Sequence, residues 1–535
     1  MKNNTILLLA FLLVGMTAQG QSTFTEVYNI FQGNCATYCH GGSNPSGQLN
    51  LTGTEGEVYD AIVNVNPVNP AALAKLDKIV KPGHPSRSFL LRKCNGDIEV
   101  SEGNTMPTGQ SLEDAEIALI ENWILFGAPQ TGEIVDYQVI QDYYNGEGLS
   151  NVVEPMEKPD PEDGFQIHLG SIYLPPSTEV EYFLKQDIAN PLDMEVIGLD
   201  NDMNESSHHF LMYKFNEGTA SGFSDGLRLL GVEESDDVTS LVVAWQFDNE
   251  INLPAGTAYS WEANTSLDLN YHVVNYSTDS ILKAELYCNV YTQPAGTAEN
   301  EMYSDLILYD PMQFYLPADG QNHVFSAPVY NESSNLQLNV WMLSSHTHKY
   351  GVDYDIYKRN ADGSQGEQLY EGFYNTDYTF NQGYYDWEHP AIRYFEPFES
   401  INYSEGFIHT ATFNNYGDDP VFFNVTTDDE MMLFFIQYTA SLIGGVEEED
   451  KEELILYPNP LTFGDDLFVD YNKTEEVHIQ IYDITGQLLY LGNDQFTQGV
   501  NRLSADLFQG LSNGVYQVTI LGSDQQLSSR VVLNK

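Results

Sequence analysis

The stretch Trp341-Met342-Leu343-Ser344-Ser345-His346-Thr347-His348-Lys349-Tyr350 passes from apolar to small and polar residues and then gives His-x-His. In an extended strand successive side chains alternate faces, so His346 and His348 share one face. Two imidazoles placed this way can clamp a borderline or soft metal. Surface histidines, or core histidines with satisfied hydrogen bonds, give the same pattern. The rest of the chain has to decide between these readings.

Working outward, the 535 residues are too many for one core and read as about three to four domains. The 35 Tyr and 27 Phe, with short apolar runs between turn residues, favour β-rich domains. Against 78 acidic residues stand 21 Lys and Arg, a net charge of -57. Such a surface repels nucleic acid and anionic membrane, and serves the solubility of an exported protein. Lys2, the apolar run Ile6 to Val14 and the small-residue site Ala18-Gln19-Gly20 read as an export signal over residues 1–20. No Cys follows the cut, which argues against a lipoprotein, and no later run reaches the roughly 18 apolar residues of a membrane span. Four cysteines do not make a disulfide scaffold.

In residues 22–130, an amphipathic helix over Phe24 to Phe31 leads into Asn34-Cys35-Ala36-Thr37-Tyr38-Cys39-His40-Gly41. Cys-x-x-Cys-His is a haem-attachment signature, and here the spacing is one residue longer. A zinc knuckle or a disulfide would also use the thiols, but no paired Cys/His set follows to complete a zinc site. Downstream, Asn104-Thr105-Met106-Pro107-Thr108-Gly109 precedes a helix with Ser111 as cap and Asp114 three residues on. That helix carries Ile117, Ile120, Trp123 and Ile124 on one face and stops at Gly127-Ala128-Pro129. The order of these motifs resembles the cytochrome c family. The resemblance implies thioethers from Cys35 and Cys39 to one covalent c-type haem, with His40 and Met106 as axial ligands. A His/Met pair gives a raised potential suited to one-electron transfer. Cys94 and Cys288 receive no role.

Residues 131–164 are polar, rich in Gly, Glu and Pro, and read as a solvated connector. Strand-like segments follow at Gln166 to Leu174, Glu179 to Phe183 and Met194 to Gly198, spaced as in β-sandwiches. Three features join the opening stretch. Ser206-Ser207-His208-His209 sets two histidines side by side, and both can face one metal only if the backbone bends or they use different ring nitrogens. Leu267-Asp268-Leu269-Asn270-Tyr271-His272-Val273-Val274 is a strand with one His. Thr426-Thr427-Asp428-Asp429-Glu430-Met431-Met432-Leu433-Phe434-Phe435 puts two methionines at the head of an apolar strand.

His-His, a single His, His-Thr-His and Asp-Glu-Met, in this order, resemble the copper type II, ascorbate-dependent monooxygenases, which include the peptidylglycine and dopamine β-monooxygenases. The resemblance implies two jelly-roll-like sandwiches, residues 165–300 and 301–443, and two copper ions. His208, His209 and His272 would hold one copper, which stores an electron. His346, His348 and Met431 would hold the other, which activates O2, while Met432 is core. Inserting one oxygen atom into a C–H bond and reducing the other to water takes two electrons from an external donor, ascorbate or a redox protein. Soft and borderline ligands suit copper that cycles through Cu(I). Where the peptidylglycine enzymes grip a substrate carboxylate with Arg, Asn and Tyr, this chain has Ser344, Leu433 and Phe435. The implied organic substrate is therefore unknown and not a peptidyl-glycine. His168, His323, His389 and His409 fit no motif and read as structural.

Glu447-Glu448-Glu449-Asp450-Lys451-Glu452-Glu453 marks an acidic linker over 444–453. Leu456-Tyr457-Pro458-Asn459-Pro460, Ile481-Tyr482-Asp483-Ile484-Thr485-Gly486-Gln487 and Leu511-Ser512-Asn513-Gly514-Val515-Tyr516-Gln517-Val518 alternate strands with turns. This reads as a small immunoglobulin-like sandwich over 454–535. It resembles the type A sorting domain of type IX secretion cargo, which implies the type IX machinery as partner and a secreted or cell-surface destination. The expectation is a multidomain, mainly β chain: a helical cytochrome c domain, two copper sandwiches and a sorting sandwich. Together they would form a secreted copper monooxygenase fed by its own haem. A non-catalytic surface protein that binds copper and haem for electron transfer or metal acquisition stays open, as does an adhesin on the strength of the sorting domain alone.

Overall fold

The computed structural model describes residues 22–37, 39–229, 238–245, 249–372, 387, 390–424, 426–442, 456–462, 466–482, 488–508, 511–522 and 526–534. The expected export signal and the acidic linker lie outside these residues. The chain divides into two compact units, residues 1–443 and 444–535.

The first unit begins with a helical body. Phe24, Val27, Ile30 and Phe31 recur at helical spacing and are all buried on α1 (Thr23–Phe31). Helices α2 (Glu55–Ile62), α4 (Phe89–Asn95) and α5 (Asp114–Leu125) pack around the same core, which includes Val58, Ile62, Leu91 and Trp123, and a short α3 (Pro70–Ala74) precedes α4. Local chemistry sets the helix ends. Thr54 and Glu57 form a reciprocal capping box on α2, Asn69 caps α3 ahead of Pro70, and Gly96, at φ 88°, stops α4. Thr54→Ala removes the cap acceptor and is expected to cost about 1 kcal/mol in chemical denaturation. A cost below a few tenths would show that α2 is held by packing alone.

Two expectations are corrected here. The cap of α5 is Glu113, paired with Glu116, and not Ser111 with Asp114. Leu112 is buried in the helical core, which moves the helix start two residues on. The stretch expected as an open connector carries α6 (Tyr137–Asp142), capped by Asp136 and anchored by buried Ile140. Ile134, Val135 and Tyr137 also pack against the helical core, so a few apolar residues in a polar segment fix the turn.

Two β-sandwiches follow. In the first, a sheet contains the strands Gly164–Leu174, Leu282–Pro294, Met194–Met203 and Thr257–Trp261, in that spatial order. The facing five-stranded sheet runs Leu227–Leu229, Glu179–Asp187, Ser266–Val274, Ser207–Phe215, Thr239–Trp245. In the second, the sheet Tyr303–Leu308, Met432–Leu442, Leu336–Thr347, Ile392–Asn402 faces the sheet Asn322–Val329, Phe407–Asn414, Gly351–Arg359, Gln365–Glu371. The core of the first sandwich does not end at its own surface. It takes in Leu125 of α5 on one side and Trp341, Met342 and Phe435 of the second sandwich on the other.

The strand of the opening stretch owes its orientation to a bulge. Leu338 and Val340 face the core of the second sandwich. Pairing with both neighbouring strands then slips between Val340 and Met342. Beyond the slip, Leu343 faces that core and Met342 joins the other core. One inserted residue thus reverses the parity of the strand and turns Ser344, His346 and His348 toward the first sandwich. On the neighbouring strand (Met432–Leu442) Met432, Phe434 and Ile436 face the second sandwich's core, so Leu433 and Phe435 take the same side as His346, and Met431 directly precedes the strand. Met432 is core, as expected.

The second unit is a small β-sandwich. A sheet of the strands Leu456–Tyr457, Leu467–Tyr471 and Gly499–Leu503 accompanies a five-stranded sheet that contains Glu475–Tyr482, Gly514–Leu521 and Gln526–Asn534. Its core is built from Leu467, Val469, Ile479, Val518, Ile520 and Val531. Among the described residues no helix is long and apolar enough to cross a membrane.

Candidate metal centre and cofactor cavity

Five histidines from three strands and the turn that follows one of them converge where the sandwiches meet. His272 pairs directly with His209 across two strands of the first sandwich. The register there slips between Ser207 and His209, and this bulge swings His208 toward the same side. Ring centroids of His208, His209 and His272 lie 4.8 to 5.4 Å apart. His346 and His348 have centroids 5.1 Å apart, with His346 on the strand Leu336–Thr347 and His348 just past its end. His208 also lies 5.2 Å from His346 and 5.1 Å from His348. Ring nitrogens of His208, His209 and His272 fall within 4.8 Å of one another, and so do those of His208, His346 and His348. The five histidines expected in two separate ligand sets therefore form one cluster, with His208 in reach of both pairs.

Hydrogen bonds on the far side of the rings leave lone pairs facing inward. His272 donates from Nε2 to Glu179 at 2.7 Å, and its buried Nδ1 has no hydrogen-bond partner. His209 uses Nε2 for Asn270 at 2.9 Å and Glu181 at 3.3 Å, which leaves Nδ1. His348 donates from Nδ1 to the Asp429 carbonyl at 3.2 Å, which leaves Nε2. Nε2 of His208 is buried without a hydrogen-bond partner. Adjacent histidines thus aim at one point by both routes the sequence allows, a bent backbone and different ring nitrogens. Buried polar atoms are almost always paired, so unpartnered nitrogens converging on one point fit a metal.

The electrostatics agree. His208, His272, His346 and His348 are at most 8% exposed. Burial first, and the neighbouring imidazoles second, hold His208 and His346 well below the ordinary imidazole range. Burial also lowers His348 to about 4 and lowers His272. Neutral imidazole is the form that binds metal.

Three carboxylates frame the cluster. Glu179 accepts from His272 and also from the backbone N–H (3.1 Å) and hydroxyl (3.2 Å) of Thr427. It thereby ties the first sandwich to the turn before Met431. Glu181 accepts from His209 and from Asn270 at 2.9 Å. Glu430 is fully buried and accepts backbone N–H groups of His348 (3.0 Å), Tyr350 (2.8 Å) and Met431 (3.1 Å). Burial pushes its carboxyl up to about 8 against the pull of those donors. No sequence motif marks these acids. Glu179 and Glu181 sit two apart on a strand, a period-two signal that could have marked them.

Ser344 is buried and its hydroxyl donates to the Ala391 carbonyl at 2.9 Å. Trp387 lies 5.8 Å from the His208 ring. Of the histidines outside the motifs, His168 stacks on Tyr287 at 4.4 Å, half-buried His323 pairs with Asp319, and His409 bonds Tyr354 at 2.8 Å in the second sandwich's core. His389 lies outside the described residues.

A second site lies in the helical body. A cavity of about 300 Å³ is lined by Phe31, Cys35, His40, Leu90, Cys94 and Met106, among others. Nε2 of His40 faces Sδ of Met106 at 3.5 Å, while its Nδ1 donates to the Leu49 carbonyl at 3.1 Å. The Met106 N–H donates to the Lys93 carbonyl at 2.7 Å, which fixes the loop against α4. His40 and Met106 thus meet in direct contact at the wall of a largely apolar cavity, and they are the donor pair that would have to part to hold a haem iron between them. Among the described residues the lining includes Cys35 and Cys94, while Cys39 is exposed and stands outside it.

No curated protein matches the chain. Solved structures with local similarity include a surface component of the type IX secretion system of Porphyromonas gingivalis, 19% identical over 19% of this chain and 14% of that one, with a TM-score of 0.13. A β-glucosidase from Listeria innocua is 18% identical over 16% of each chain, with a TM-score of 0.11. A Ruminococcus gnavus β-glucuronidase is 11% identical over 68% of this chain and 47% of its own, with a TM-score of 0.14. The chain thus spans less than half the length of each of these proteins. Residues 455–534 match the family described as the secretion system C-terminal sorting domain, and the chain is exported by type IX secretion to the cell surface or beyond it.

Proposed function

We propose that the chain is an exported copper-dependent monooxygenase that hydroxylates a C–H bond of a substrate other than a peptidyl-glycine, with electrons relayed through its own c-type haem. In this reading the helical body is a cytochrome c domain and the two sandwiches are copper domains. The observation that carries it is the convergence of five histidines from both sandwiches, with unpartnered ring nitrogens turned inward. Bound copper would supply one-electron cycling and O2 activation, and a haem between His40 and Met106 one-electron transfer.

The chain's own residues do the rest. Glu179, Glu181, Asn270 and the Asp429 carbonyl fix the tautomers and ring orientations of His272, His209 and His348. Trp341, Met342 and Phe435 join the second sandwich to the core of the first. Ser344 offers no cation to a carboxylate, and its hydroxyl is committed to Ala391. A non-catalytic copper and haem electron-transfer protein is the second reading, favoured by how deeply four of the five histidines are buried.

The test is metal and haem analysis of the purified chain, followed by oxygen uptake with an electron donor over a panel of apolar and polar substrates. About two coppers and one low-spin haem per chain are expected, with a hydroxylated product from at least one substrate. Copper and haem without product from any substrate would favour the second reading. A chain that retains neither would overturn both.

A further inference from the structure

The loop that presents Met106 is anchored on alternate residues by a single side of one lysine. The Lys93 carbonyl accepts the Met106 N–H at 2.7 Å. The Lys93 Nζ donates to the Glu102 carbonyl at 2.9 Å and to the Asn104 carbonyl. Gly103, between those two carbonyls, is at φ 90° and ψ -151°, a backbone that glycine adopts freely and other residues do not. The loop can therefore turn both carbonyls to one ammonium. Lys93 sits on α4 and is only 8% exposed. Its Nζ lies 5.4 Å from the centre of the Phe89 ring, and Lys93, Phe89 and Met106 all line the cavity. Lysines are seldom buried, because taking an ammonium out of water is costly. The nearby Glu102 carboxylate is bound by Arg92 and Lys75, so the hydrogen bonds of the Lys93 ammonium go to neutral carbonyls.

We infer that Lys93 is the positioning residue of the haem site: it holds the loop 102–106 so that Met106 reaches the iron, and its charge raises the haem's reduction potential. His40 and Met106 touch at 3.5 Å, so a haem between them moves Met106 away from His40. Three hydrogen bonds to one residue keep the loop against α4 while this happens. The charge works in the same sense as the thioether. A fixed cation in the wall of an apolar cavity disfavours the extra positive charge of Fe(III) and so favours the reduced haem. The inference rests on the haem reading and goes beyond it in naming the residue that sets the Met ligand and the potential.

The test uses the full-length holoprotein and two variants. Lys93→Gln removes the charge and keeps an amide donor, and Lys93→Met removes both. Met ligation is read from the long-wavelength charge-transfer band of the ferric haem and from the affinity for imidazole, which must displace Met106 to reach the iron. In Lys93→Met the band should weaken and imidazole should bind at least about tenfold more tightly, the factor that 1.4 kcal/mol gives. One hydrogen bond from a charged donor is worth about that much or more. The midpoint potential should fall in both variants. Wild-type imidazole affinity in Lys93→Met, or a wild-type potential in Lys93→Gln, would overturn the inference and leave the haem reading intact. If Lys93→Met takes up no haem, the potential of Lys93→Gln decides: a fall upholds the inference and no change overturns it. A wild-type chain that takes up no haem would instead overturn the haem reading itself.

Discussion

His208→Ala should lower copper affinity at both positions of the cluster, by more than the roughly 10–100-fold typical of losing an outer partner of a metal ligand. The reason is geometric. His208 is the one histidine whose ring nitrogen converges with both His209/His272 and His346/His348. His209→Ala is the control. His209 belongs to one set only, and its ring is 6.2 Å from that of His346. It should weaken one copper and spare the other. Copper titration against a competing chelator, followed by spin resonance of the Cu(II) form, reads the two cases apart. If His208→Ala loses one copper and binds the second with wild-type affinity, the two sets are independent and the shared cluster is wrong.

Much of this site could be read from residue order alone, and what could not has identifiable causes. His346 and His348 share a face because period two is fixed by strand geometry. Which face they share was hidden. Val340, Trp341, Met342 and Leu343 are all apolar, so alternation gives no register, and the bulge that decides it leaves no trace in composition. The merging of the two ligand sets depends on how the sandwiches pack, which is a property of pairs of surfaces and not of any motif. Cys94 receives no role from the sequence because nothing adjacent to it forms a pattern; α4 brings it to the cavity. The supporting carboxylates were lost in the background of 78 acidic residues. The helical body was the most legible part, since its apolar spacing matches a single period. Even there, burial of Leu112 moved the cap of α5 to Glu113.

Glu430→Leu should destabilise the first unit by about 3 kcal/mol or more, because three donors depend on one side chain. The buried carboxylate accepts the N–H groups of His348, Tyr350 and Met431. The leucine removes the acceptor and leaves all three donors in a space that water does not reach. Each unsatisfied buried N–H costs roughly 1–3 kcal/mol. Spread over a unit of this size, the loss corresponds to a fall in melting temperature of at least roughly 3 °C. Glu430→Gln retains one acceptor oxygen but turns its NH2 group toward a donor, so a smaller loss, about 1–2 kcal/mol, is expected. The pair of variants also separates packing from positioning. If Glu430 only fills space, Leu and Gln should behave alike and copper affinity should follow stability. If it positions the turn that carries His348 and Met431, Glu430→Gln should weaken copper binding at that side of the cluster while most of the fold's stability remains. A Glu430→Leu variant within about 0.5 kcal/mol of wild type, the range of ordinary surface substitutions, would show that those backbone groups find other partners and that the carboxylate does not organise the turn.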